Sequence, residues 1–255
     1  MTAFQVRPLL AVGFAALVAA GAAHAGGLDR DTLLTEAPAT PRSGTVRVSG
    51  GANGQPTGAV DSGSTGGISG SILWAPIDRV AGDVGLYLQG ADSGPTVRLR
   101  FQLLKQADAG VDVAVGGRFK KFGLFKKQEG SPNGEFEFLF ALGKSIGRFD
   151  AMLNGVVGFE TGGPGSDIEG KAFIGYRLFD NLRIGLDGRL QAEYKDENGT
   201  KSPDFANDMV LAAGPAVSWL TLGDRLQFQA MLGVAKPKGI GTVSPGGLFA
   251  ASIDF

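Results

Sequence analysis

The chain has no cysteine, and its only histidine is His24. Without cysteine an exported chain cannot rely on a disulfide framework, so stability has to come from a continuous hydrogen-bonded core. No run after residue 25 approaches the roughly 20 apolar residues of a transmembrane helix, so a membrane location would require a closed sheet. Neither sign of charge dominates, with 24 basic against 25 acidic residues, and no bulk attraction to nucleic acid follows. The 19% charged and 43% hydrophobic content is ordinary for a folded protein and does not by itself indicate a membrane protein.

Residues 1–25 combine a positive start ending at Arg7, an uncharged apolar run from Leu9 to Ala23, and a small-residue Ala23-His24-Ala25 ending. This is the pattern of a secretory signal peptide cleaved after Ala25, and its apolar run is short for a spanning helix. Cleavage would remove the only histidine and Arg7, leaving 23 basic against 25 acidic residues, a formal charge of −2. Residues 26–43 carry Pro38, Pro41 and a short helix-like stretch at Asp31 to Leu34, with too little apolar content for a core. They read as a flexible periplasmic N-terminal arm, the alternative being a plug folded into a barrel.

From Gly44 to Phe255 the pattern is of period two. Twelve extended segments are expected: Thr45–Ser49, Ile68–Trp74, Asp83–Gly90, Thr96–Lys105, Val111–Lys120, Glu135–Leu142, Arg148–Glu160, Ile168–Leu178, Leu182–Tyr194, Asp208–Leu220, Arg225–Lys236 and Gly247–Phe255. Most alternate cleanly. In one, Phe136, Phe138, Phe140 and Leu142 oppose Glu135 and Glu137; in another, Leu182, Ile184, Leu186 and Leu190 oppose Arg183, Asp187, Arg189 and Gln191. Each strand can be phased to leave one face uncharged, as lipid requires, since a midplane Lys or Arg facing lipid costs about 2–4 kcal/mol. Pro215 interrupts one strand and argues against a regular ladder there.

Short connections such as 143–147 and 179–181 alternate with long polar ones such as 51–67, 123–134, 195–207 and 237–246. The last strand places Phe249, Ala251, Ile253 and Phe255 on one face and ends on an aromatic residue. On this strand and the pattern upstream, the chain resembles bacterial outer-membrane β-barrel proteins. The resemblance implies an all-β, transmembrane, antiparallel up-and-down barrel of about 12 strands, with 10 to 14 as the range. It makes Phe249, Ile253 and Phe255 an assembly signal read by the barrel-assembly machinery, with both termini periplasmic. Trp74, Tyr194 and Trp219 fall near strand ends, where interfacial aromatics belong. A soluble exported barrel or β-sandwich is the competing reading, because alternation alone does not say which face is inside.

Histidine-dependent catalysis, as in the phospholipase, palmitoyl-transferase and protease barrels of the outer membrane, has no base in a chain without His24, and a histidine or thiolate metal site is excluded with it. No enzymatic activity, cofactor or metal is expected. The predicted interior holds eleven basic and eleven acidic residues, where a strongly selective channel would show a ring of one sign. Arg98, Arg100, Asp112, Arg118, Lys120, Glu135, Glu137, Arg183, Asp187 and Arg189 form its candidate charge cluster, with Arg118 and Lys120 facing Glu135 and Glu137. The lysine pairs 120–121 and 126–127 could meet lipopolysaccharide phosphates, although a solvated face is the plainer reading. Balanced charge favours a braced lumen, and hence a structural or interaction component of an envelope assembly such as secretion or surface-motility machinery. A passive, weakly selective pore for small solutes is the alternative. Outer-membrane lipids and envelope proteins are the expected partners, and nucleic acid is not.

Overall fold

The computed structural model describes residues 28–54, 66–89, 92–123, 133–163, 165–195, 209–236 and 242–255. The expected signal peptide lies outside these residues. Twelve strands follow in order: β1 (Val46–Gly54), β2 (Gly66–Ile77), β3 (Val80–Gln89), β4 (Asp92–Leu104), β5 (Asp112–Lys121), β6 (Gly134–Ile146), β7 (Phe149–Thr161), β8 (Ser166–Phe179), β9 (Leu182–Lys195), β10 (Val210–Thr221), β11 (Leu226–Lys236) and β12 (Ser244–Asp254). Each pairs antiparallel with its sequence neighbours, and β12 returns to β1, with Arg47 opposite Asp254 and Ala52 opposite Phe249. Closure leaves no unpaired edge, the condition under which a sheet can sit in hydrocarbon.

Period-two side chains turn this cylinder into two surfaces. On β6 the buried Glu135 and Glu137 alternate with outward Phe136, Phe138 and Phe140, and Phe138 is 61% exposed. On β8, Ile174 is 64% exposed while its neighbour Phe173 is buried inside. An outward apolar band is favourable only against lipid, since water would leave that surface unburied. Ile174→Arg, near the middle of β8, should therefore cost about 2–4 kcal/mol of folding free energy, measured by reversible urea unfolding in lipid vesicles. An unchanged unfolding midpoint would argue for an aqueous exterior.

Several boundaries differ from the sequence expectation. The first two strands extend through Gly50, Gly51 and Gly54 and back to Gly66, because Gly50 pairs with Gly70 and Gly51 with Ser69. Cross-strand hydrogen bonds hold those glycines extended where their own propensity would not. A four-residue helix, α1 (Gln106–Ala109), joins β4 to β5 and ends at Gly110 with φ 78°, a left-handed position that favours glycine. Pro215 pairs with Leu186 of β9, but on its other side the ladder to β11 skips from Ala213 to Ala216. A residue without an N–H accounts for that gap.

The largest difference is at the N-terminus. Of residues 28–43, expected as a flexible arm, 28–41 lie inside the barrel and contact side chains from opposite walls, while Arg42 and Ser43 are exposed. The stretch Asp31 to Leu34 is irregular and bends at Leu33 and Leu34 without forming a helix, and Thr32 N donates to Thr35 O at 2.9 Å. Pro38 and Pro41 are fully buried. The segment needs no apolar core of its own because its polar groups are satisfied by a polar lumen. Gly44, at φ 86°, joins it to β1.

Candidate functional site

The lumen is braced first by its own wall. Strand register places Asp83 opposite Arg98, Glu137 opposite Arg118 and Glu135 opposite Lys120. Arg98 Nε donates to Asp83 at 2.6 Å, Lys120 pairs with Glu135 at 3.2 Å, and Arg118 and Lys120 both pair with Glu137. Register also puts Lys171 beside Arg189, so Glu169, two residues along β8, takes both, at 3.2 and 2.5 Å. Arg47 pairs with Asp254 at 2.7 Å across the seam that closes the barrel.

A second group lies toward the short-turn end. Asp150 accepts from Ser145 Oγ at 2.6 Å and pairs with Arg177 and Arg183, each at 3.3 Å. Asp150 and Arg183 stand two strands apart, with Gly175 between them. A Cβ on Gly175 would come within 2.6 Å of the Phe173 ring and 3.2 Å of Arg183 Cγ, so the missing side chain lets the pair close and lets Arg183 lie over that ring, 4.9 Å from its centroid.

The N-terminal segment then crosses the lumen. Asp31 receives Arg98 Nη2 and Arg100 Nη1, both at 2.8 Å, while its carbonyl accepts from Gln229 on the far wall at 2.9 Å. Glu36 pairs with Lys171 at 2.7 Å and with Arg118 at 3.7 Å, and its backbone exchanges hydrogen bonds with Asn154 at 2.7 and 3.0 Å. Thr35 Oγ1 donates to Asp187 at 2.7 Å, Thr40 to Gln102 at 3.1 Å, and Arg30 pairs with Asp254 at 2.6 Å. Burial would push the Asp31 and Glu36 carboxyls up. The guanidiniums of Arg100 and Arg98 for Asp31, and the Lys171 ammonium with Arg118 for Glu36, outweigh it and hold both below the usual carboxylate range. The apolar part of this docking is Leu28 against Met152 and Phe173, with Ala39 beside them, and the buried Ala37, Pro38 and Pro41.

Above the segment lies a cavity of about 860 Å³. Residues 31–36 line its floor, and its walls run from Arg47, Arg98 and Lys171 to Gly54, Phe122 and Lys236 near the long-loop end. Among the described residues no group of His, Asp and Glu is arranged to hold a metal ion.

Of the charges expected to cluster, the structure brings together Arg98, Arg118, Lys120, Glu135, Glu137 and Arg189 on the wall around this cavity. Arg100 joins them only through Asp31. Asp187 meets the N-terminal segment, and Arg183 belongs to the Asp150 group. Asp112 stands apart, accepting from Gln102 Nε2 and Gln106 N at 2.9 Å each. Arg148 and Arg225, which begin two of the expected strands, are exposed at the short turns, and Lys120 faces Glu135 in the lumen as the candidate cluster has it, not lipopolysaccharide. Lys126, Lys127 and Asp208 lie outside the described residues. Asp31, Glu36, Arg30, Asn154 and Gln102 were not anticipated. The signal for them is the density of charged and hydroxyl groups in a proline-braced stretch ahead of a polar-lined barrel.

Trp74 is outward and exposed near the short-turn end, and Trp219 stacks on Phe228, which stacks on Phe249, with centroids at 5.8 and 6.4 Å. The side chain of Tyr194 lies outside the described residues. Phe255 is exposed, while its N–H donates to Val46 O at 2.9 Å.

No family model matches the chain, and no curated protein matches it. Among solved structures it is similar to a KdgM porin, with a TM-score of 0.54 and 11% identity over 82% of this chain and 99% of that one. It is also similar to a NanC porin, with a TM-score of 0.54 and 9% identity over 82% and 98% of the two chains. At such identities the likeness concerns the fold, which is that of bacterial outer-membrane β-barrels.

Proposed function

We propose that this is an integral outer-membrane barrel that passes small polar solutes passively and with weak selectivity. The observation that carries the reading is a cavity of about 860 Å³ in the lumen, lined by charged and small residues that reach toward the long-loop end, inside a closed barrel whose exterior is apolar. The porin fold of the similar structures supports it. Weak selectivity follows from the wall, where cations and carboxylates neutralise each other in pairs and leave no ring of one sign among the described residues. Export by a signal peptide cleaved after Ala25, and assembly directed by the C-terminal strand, belong to the same proposal. No described residue speaks specifically for a secretion or motility partner, so the pore takes precedence over the scaffold.

Purified protein in planar bilayers should give channel steps whose reversal potential in a salt gradient stays close to zero. A strong preference for one sign of ion would contradict the paired wall. Silence from the intact chain and from a chain lacking residues 28–43 alike would return the protein to the scaffold class.

A further inference from the structure

Resting on that reading, we infer that residues 28–43 are a displaceable plug latched by Asp31 on Arg100, and that its withdrawal opens the pore.

The wall is already complete without the segment. Arg98 keeps Asp83, Arg118 keeps Glu137, Lys171 keeps Glu169 and Arg47 keeps Asp254 when the N-terminal carboxylates leave. Buried Asp187 and Asn154 also bond to the segment, and among the wall's cations the exception is Arg100. It is 1% exposed, its one ion pair among the described residues is with Asp31, and its remaining bond to a described acceptor is to Ala37 O at 3.0 Å, also in the segment. Its Nε and Nη2 have no partner even with the segment docked. A buried guanidinium so poorly satisfied gains from water, so the docked state has a competitor.

The remaining attachment is also of a kind that exchanges with water. It is mostly ion pairs and hydrogen bonds, whose net worth is small once desolvation is set against attraction, and its apolar part is the Leu28 contact together with the buried Ala37, Pro38 and Pro41. The segment enters and leaves at the short-turn end, where Leu28 and Pro38 both approach Gly143 of β6, and a Cβ there would stand 2.9 Å from Leu28 Cδ1. It is tied to the wall covalently only through Gly44, whose left-handed φ and open surroundings suit a pivot. Several polar contacts therefore hold a segment that spans the lumen, and among its ion pairs Asp31 on Arg100 is the one whose wall partner has no wall carboxylate of its own in ion-pair reach among the described residues.

The test combines conduction with accessibility, using variants whose folding is first confirmed by heat-modifiable migration. Asp31→Asn leaves Arg100 with no charged partner in the docked state and should raise the open fraction at least about tenfold. Glu36→Gln should do less, because Lys171 and Arg118 retain wall carboxylates. Gly143→Met should open the pore by bulk alone, with every charge in place, and a chain lacking residues 28–43 should stay open. The absence of native cysteine allows an independent readout: Ala37→Cys, fully buried, should react slowly with an impermeant thiol reagent, and at least about tenfold faster when combined with Asp31→Asn. Equal conductance in the intact and deleted chains would overturn the plug and leave the pore standing. If no variant conducts but labelling accelerates, displacement is supported and the pore reading fails. Slow labelling in both backgrounds would overturn the latch.

Discussion

Replacing Asp150 with alanine should lower the unfolding free energy of the barrel by about 3–5 kcal/mol. Asp150 is 1% exposed and serves three donors: Ser145 Oγ, Arg177 and Arg183. Arg183 is itself buried, and removing the carboxylate leaves a guanidinium with no other carboxylate within ion-pair reach among the described residues. What remains is the Phe173 face, worth about 0.5–2 kcal/mol, and a longer-range attraction to Asp187, neither of which replaces the lost pair. The exposed pair Arg79 and Asp108 is the natural comparison, since Asp108→Ala should cost less than about 1 kcal/mol. Urea unfolding of both variants in lipid vesicles measures the contrast. A cost for Asp150→Ala no larger than that of Asp108→Ala would mean that water reaches Arg183 and that the pair does not brace the wall.

Deleting Phe255 should remove most of the correctly assembled barrel from the outer membrane while leaving synthesis and export unchanged. The last residue fastens the seam by exchanging two backbone hydrogen bonds with Val46, at 2.9 and 3.3 Å, beyond the last pair of the β12 ladder. Each is worth about 0.5–1.5 kcal/mol in the finished structure. Their larger consequence is kinetic, because the β1 and β12 edges stay open until the two strands pair. The exposed ring stands at the short-turn end, and we propose that it also serves as an interfacial anchor. Phe255→Trp keeps the backbone and the amphipathic ring and should assemble normally. Membrane fractionation with heat-modifiable migration reads both variants. Full assembly of the truncated chain would show that closure does not depend on its last residue.

These two sites differ in how they stand in the sequence. Phe255 is readable because the terminal strand carries its meaning locally, in the alternation of Phe249, Ala251, Ile253 and Phe255. Asp150 is visible only as a charge on an inward face, and its partner Arg183 sits two strands away. Neither the spacing of residues 150 and 183 nor their neighbours reveals that Gly175 clears the path between them.

The sequence by itself determined the barrel. A strand's side chains alternate by geometry, so an apolar face and a polar face per strand, repeated twelve times with alternating connections and an aromatic end, specify a closed wall with a polar inside. It also pointed to local pairs between adjacent strands, such as Arg118 with Glu137, because alternation puts opposite charges on the inward faces of neighbouring strands. What only the tertiary structure decided is the content of the lumen. Arg30 meets Asp254 across 224 residues and Glu36 meets Lys171 across 135, contacts that exist only once the sheet has curved into a cylinder. Taken alone, residues 28–43 are too polar to fold. Inside the barrel the same polarity is what holds them.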